Sequence, residues 1–175
     1  MEKTEVKFAP YIYVACLSAY NDGCLHADWI DATQDEEAIM RQVEAILTTS
    51  PEQGAEGYFI HAHDEFAGAS VKKEAPLADV IALARFIAEH GALGGALVER
   101  CGEDLEEARK ALGQRYCGCF PSLADYMRES TKWMFECDAG RACVDWEAMG
   151  RDAEQRGALF TIELGDGAVH VIWGQ

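Results

Sequence analysis

A chain of 175 residues with 31 acidic and 15 basic side chains has a formal net charge of −16, which repels nucleic acid and favours a basic partner. Hydrophobic residues make up 49 % of it, enough for a buried core, so global disorder is excluded; the length suits one ordinary domain or a few small ones. The acids are spread along the chain, with 14 against 5 bases in residues 1–75, 7 against 5 in 76–118 and 10 against 5 in 119–175. Acidity alone also suits the colloidal needs of many soluble proteins, so the charge must be read together with its placement.

The N-terminus, Met1 to Lys7, is charged on both sides and lacks the apolar core of a signal peptide. The most apolar stretch, Leu77 to Ala88, is interrupted by Asp79 and Arg85 and reads as too short to span a bilayer. A cytoplasmic location without membrane contact is expected. Seven scattered cysteines in such a chain predict reduced thiols rather than a disulfide framework.

Tyr11 to Ala32 places apolar and β-branched residues on either side of Asn21-Asp22-Gly23, which predicts a β-hairpin turning at that triplet. Period-two alternation sets Leu25, Trp29 and Asp31 on one face of the second arm and His26, Asp28 and Ile30 on the other. Neither face is cleanly apolar, so a carboxylate is displayed there, since burying one unpaired is costly. Asp35 to Leu47 carries Ile39, Val43, Ile46 and Leu47 at helical spacing, with Thr33 or Asp35 as N-cap and Asp35, Glu36 and Glu37 where the helix dipole favours anions. Pro51 and Gly54 end it, and Tyr58 to His61 reads as a third strand.

Residues 67–76 read as a loop at a boundary. Leu77 to Glu89, Ala92 to Arg100 and Asp104 to Leu112 then show three helical patterns separated by Gly91 and Gly102, an all-helical piece. Ser122-Leu-Ala-Asp125 is a near capping box opening a helix whose apolar face is Leu123, Tyr126, Met127 and Trp133 or Met134. Asp145 to Gln155 is helical again, with Trp146, Met149 and Ala153 on one side. Leu159 to Leu164 and Ala168 to Trp173 form a second hairpin around Gly165-Asp166-Gly167.

The fold class expected is α+β, an elongated chain of three small domains: residues 1–75 as an N-terminal antiparallel sheet plus helix, 76–118 as a central helical module, and 119–175 as C-terminal helices plus hairpin. Catalytic chemistry finds little support. Cys16, Cys24 and His26 share the first hairpin, but nothing around them resembles a nucleophile elbow, a phosphate loop or a metal-protease helix. His26 reads as a hydrogen-bonded structural histidine. Cys117 and Cys119 with His61 and His63 lack the paired spacing of a structural zinc site. Gly91 to Gly95 has no lysine and follows a helix, which favours close packing over a phosphate cradle. No enzyme activity, metal or cofactor is expected.

Ile12-Tyr-Val-Ala-Cys-Leu-Ser-Ala-Tyr-Asn-Asp-Gly-Cys-Leu-His26 and the following Trp29-Ile-Asp-Ala32 closely resemble the opening of the ArdA-type antirestriction proteins. Ile60-His61 with Asp64, Phe86 to Gly91, Asp104 to Arg109, Tyr116 to Phe120, Asp145 to Asp152, Phe160 to Glu163 and Val169 to Trp173 resemble further family motifs in the same order. Ala27 stands where the family usually has Gly, and residues 133–144 depart from its usual acidic linker. The resemblance implies a dimeric, cytoplasmic DNA mimic, of a kind that commonly travels on mobile elements. It would competitively occupy the DNA-binding groove of type I restriction-modification enzymes on their methyltransferase core, without binding nucleic acid itself.

The carboxylates expected to serve that mimicry are Asp22, Asp28, Asp31, Asp35, Glu36, Glu37, Glu44, Glu103, Asp104, Glu106, Glu107, Asp125, Glu129, Asp145, Glu147 and Asp152. The central module and Tyr116 to Phe120 are the expected subunit contact. An acidic adaptor for another basic partner, and a thiol-dependent enzyme, are the alternatives.

Overall fold

The computed structural model describes residues 8–134, 143–165 and 167–174. Its contacts divide the chain into two compact units, 1–103 and 104–175. Each carries a three-stranded antiparallel sheet and helices, so the α+β class holds.

In the first unit, β1 (Tyr11–Cys16) runs centrally between β2 (Ala27–Asp31) and β3 (Tyr58–Asp64). β1 and β2 pair from Tyr11 opposite Asp31 to Ala15 opposite Ala27, but a simple hairpin does not join them. Leu17–Asn21 coils into a short helix, α1. The run Leu-Ser-Ala-Tyr-Asn has no β-branched residue, and only Tyr20 in it favours the pleated conformation. Gly23, at φ 83°, lets the Cys24 N–H return to the Ala19 carbonyl at 2.9 Å. The Asn-Asp-Gly signal therefore closes a helix rather than turning a hairpin.

α2 (Glu36–Thr48) buries Ile39, Val43 and Ile46 and packs on β1 and β2, whose inward residues Ile12, Val14 and Ile30 are almost fully buried. Leu47, expected on that face, is only half-buried. Asp35 occupies the N-cap position without a side-chain capping bond. β3 extends to Asp64 and bulges where its pairing with β1 shifts between Tyr13 and Val14.

α3 (Leu77–Arg100) joins the first two central helical patterns across a kink at Gly91, whose φ of 57° and ψ of −139° are non-helical. Counted together they are long and apolar enough by length and composition to cross a membrane, unlike the shorter stretch read from the sequence. That apolar surface serves the unit's own core: Leu77, Val80, Ile81, Ala84, Phe86, Ile87, Leu97 and Val98 are buried. Gly95 lies against the 65–68 loop, where an added Cβ would stand 2.1 Å from the Ala67 carbonyl oxygen. The Gly-Gly pair thus permits close packing.

The second unit opens with α4 (Leu105–Lys110), capped by the Asp104 carboxylate, which accepts the Glu107 N–H at 3.0 Å. A π-helical turn over Ala111–Arg115 leads into β4 (Tyr116–Phe120), a strand absent from the sequence reading. β4 is an edge strand beside β6 (Val169–Trp173), which pairs on its other side with β5 (Leu159–Glu163). α5 (Leu123–Ser130) and α6 (Trp146–Gln155) contact one another. Tyr126, Met127, Leu159, Val169 and Val171 form the buried cluster, with Leu123, Trp146, Met149 and Ala153 packed against it.

Trp133 and Met134 do not continue that face. They lie in a 3₁₀ turn and are 78 % and 55 % exposed, because the helix has already ended at Ser130. In the capping box the shorter Asp125 carboxylate accepts from the Ser122 hydroxyl at 2.7 Å, while Ser122 Oγ accepts the Asp125 N–H at 3.1 Å. The second hairpin forms as expected, with Leu159 opposite Trp173 and Glu163 opposite Val169, and with Gly165 and Gly167 both at positive φ; Asp166 lies outside the described residues, as does most of 133–144.

Candidate functional site

The expected carboxylates fall into three physical groups, distinguished by what each oxygen already touches. The first group builds local structure. Asp31 Oδ1 accepts the Thr33 N–H at 2.8 Å and the Thr33 hydroxyl at 2.6 Å, fixing the turn that leads into α2. Asp28 Oδ1 accepts the Trp29 N–H at 2.8 Å. Asp104 and Asp145 are true N-caps, the latter accepting the Ala148 N–H at 2.9 Å.

A second group is paired with cations. Asp35 Oδ1 accepts from Arg85 Nη2 at 2.8 Å, and the same guanidinium donates to the Thr33 and Gln34 carbonyls at 3.0 Å each. Arg85 thereby ties α3 to the approach of α2, which explains why Asp35 does not cap. Glu103, at φ 67°, accepts from the Ser70 hydroxyl at 2.5 Å and lies 3.8 Å from Lys72 Nζ. Along the helices, Glu37 pairs with Arg41, Glu106 with Arg109, Asp125 with Arg128, Glu129 with Lys132, Glu147 with Arg151 and Asp152 with Arg156. Each of these spans three or four residues, the spacing at which helical neighbours meet.

Glu107 differs from these. Its pair with Arg115 is only 25 % and 19 % exposed, the least solvated ion pair among the described residues. The third group, Asp22, Glu36 and Glu44, is exposed without a bonding partner among the described residues.

Exposed ion pairs contribute only about 0–1 kcal/mol, so the arginines and lysines of the second group can swing away when a stronger cationic field arrives. Apart from the half-buried Asp31, Glu107 and Asp125, all the named acids are exposed. Asp64, Asp79, Glu89 and Glu99 are exposed as well and are not among the carboxylates expected to serve the mimicry, although Asp64 and Glu89 lie in family-like motifs.

Of Cys16, Cys24 and His26, two are engaged in hydrogen bonds. His26 Nε2 lies 2.9 Å from the Ile46 carbonyl and 3.2 Å from Thr49 Oγ1, tethering the approach to β2 to the end of α2. Cys16 is buried with Sγ 3.3 Å from Ser50 Oγ, while Cys24 is exposed. In the second unit, Tyr126 donates to Cys117 Sγ at 3.5 Å, and the Tyr116 hydroxyl lies 2.8 Å from His170 Nδ1. Burial first, then the hydrogen bond to Cys117, raises the Tyr126 phenol well above its ordinary range; burial raises Tyr116 as well, followed by the nearby Cys119 and Cys117.

An open groove of about 430 Å³ in this unit is lined by the Glu147–Arg151 pair and by Glu154, which accepts from Thr161 Oγ1 at 2.5 Å. Among the described residues no cysteine or histidine lines it. Among the described residues no group of three or more His, Cys, Asp and Glu side chains is arranged to hold a metal ion.

The chain has no match among curated proteins. A family model described as antirestriction protein (ArdA) matches residues 12–166, which covers the first sheet from Ile12 onward and β4 and β5 of the second, and ends before β6. The chain therefore belongs to the ArdA family of antirestriction proteins.

Proposed function

We propose that the protein blocks type I restriction-modification enzymes by presenting surface carboxylates in place of DNA phosphates, competing for the DNA-binding groove of the methyltransferase core. Family membership supports antirestriction, and the observation that carries the mechanism is the exposure of weakly paired or unpaired acids in both units of a chain with net charge −16. Seven residues of helix separate Glu37 from Glu44, about 10.5 Å of rise at 1.5 Å per residue. Three steps of one DNA strand cover about 10 Å, so α2 can offer anions at a phosphate-compatible interval.

A folded acidic surface also avoids the bending cost of about 1–6 kcal/mol that duplex DNA pays in a curved site. The inhibitor acts as a homodimer in the cytoplasm, where a two-fold arrangement doubles the acidic surface and suits a two-fold partner. No catalysis or cofactor takes part.

Displacement of a labelled duplex from a purified type I methyltransferase core, followed by fluorescence anisotropy, tests this reading. Stoichiometric displacement that weakens with salt is expected. Retention of the duplex at every protein excess would reject the mechanism. Sedimentation equilibrium tests the dimer separately.

A further inference from the structure

The face of the first sheet that bears Tyr11 and Tyr13 is built differently from the α2 side. Tyr13 stands opposite Trp29, with ring centroids 4.9 Å apart, and the His61 imidazole at the bulge lies 6.0 Å from the Tyr13 ring. Tyr20, projected from α1, lies 5.7 Å from the same imidazole and 5.1 Å from Phe59. A protein core would bury such rings, yet Tyr20 is 44 % and Trp29 47 % exposed.

One margin of this platform is anionic. Tyr11 is paired on its two sides with Asp31 and Asp64, and side chains in register across a sheet share a face. The carboxylate row lies two residues along the strand from the Tyr13–Trp29 row, about 6.7 Å away at 3.3–3.4 Å per residue. The three strands contain no lysine or arginine.

We infer that this aromatic face with its Asp31–Asp64 margin is a docking surface for arginine side chains of the protein partner, a stacking anchor within the electrostatic interface proposed above. It rests on that reading for the identity of the partner but not for its chemistry. A guanidinium is planar and weakly hydrated, so it stacks on tyrosine and tryptophan while its N–H groups reach a carboxylate; an ammonium does this less well. Rings held by mutual packing lose little freedom on binding, which is why tyrosine and tryptophan serve as interface anchors.

The test uses the full-length ¹⁵N-labelled protein and the Trp29 indole N–H resonance, assigned by its loss in Trp29→Phe. Titration with hexa-arginine is expected to move that resonance saturably, with hexa-lysine at equal charge at least about fivefold weaker. Equal response to both peptides, or an unmoved indole, overturns the inference. In duplex displacement, Trp29→Ala and Tyr20→Ala should each weaken competition by about tenfold while leaving the slope against salt unchanged. Two substitutions guard against one that fails to fold. If the wild-type protein never displaces DNA, the proposed function falls while the peptide titration still decides this inference.

Discussion

Replacing Glu36, Glu37 and Glu44 together by Gln removes charge from the exposed side of α2 with little change in shape. Glu37 is 88 % exposed and its partner Arg41 65 %, so these carboxylates are solvated and their contribution to folding is small. Gln and Glu have similar helix propensities, and losing two acids from the first turn costs about 0.3–1 kcal/mol each. A contact of each acid with a cation at about 4 Å in water gives about 1 kcal/mol. Three lost contacts amount to about 3 kcal/mol, or about 150-fold in competition at low salt. Freeing Arg41 from Glu37 adds repulsion in the same direction. The deficit should shrink as salt rises, because the Debye length falls from about 30 Å at 0.01 M to about 10 Å at 0.1 M. Anisotropy displacement at those two ionic strengths, with urea unfolding as control, measures both quantities. A folded triple variant competing within about twofold of wild type at low salt would refute the placement of α2 in the interface.

Gly95→Ala should lose about 2 kcal/mol in urea unfolding, because the 2.1 Å approach to the Ala67 carbonyl outweighs the helical gain of alanine; Gly113→Ala, with open space around it, should lose nothing measurable. Asp145→Ala should destabilise the second unit by about 1 kcal/mol, while Asp145→Asn keeps most of the capping bond; equal losses would show that charge rather than the cap matters. Above pH 10.0, the ordinary tyrosine value, the unfolded chain loses phenolic protons that folded Tyr126 and Tyr116 retain. Stability of the second unit is thus fully present below that pH and falls as pH rises through the folded values. Tyr126→Phe should flatten the decline that sets in above about pH 10, and an unchanged slope would show that Tyr126 is not its source.

The elements most legible in the sequence were those with a strong period and a chemical stop. α2, the capped starts of α5 and α6, and the last hairpin follow directly from apolar spacing, Asp or Ser caps and paired glycines. β4 escaped because Tyr-Cys-Gly-Cys-Phe has no clean alternation, and Gly118 introduces a bulge that only the partner strand β6 stabilises. The α1 turn escaped for the converse reason, since its Asn-Asp-Gly signal correctly marks positive φ but cannot tell a helix end from a hairpin tip. For the acids, the sequence conveyed sign and abundance. It could not separate Asp35 from Glu36, although the guanidinium that distinguishes them arrives from fifty residues away.

That separation bears on how a strongly acidic protein stays folded while keeping charge on offer. Asp31, Asp104 and Asp145 each use one carboxylate oxygen on a backbone N–H group, so each offsets an otherwise unpaired donor in the folded chain. The helical pairs temper repulsion in the free protein at little energetic depth, and an approaching cation can replace Arg41, Arg151 or Arg156 with small loss. Glu107 sits at the other limit: its half-buried pair with Arg115 is screened less by water, and removing either partner leaves a poorly solvated charge. The acids of this chain are therefore not interchangeable units of a charge count. Glu107, held by Arg115, sustains the surface; acids such as Asp31 and Asp64 that bond a backbone N–H through one oxygen keep the other without a partner among the described residues; and those facing solvent with exposed or absent partners are the least engaged.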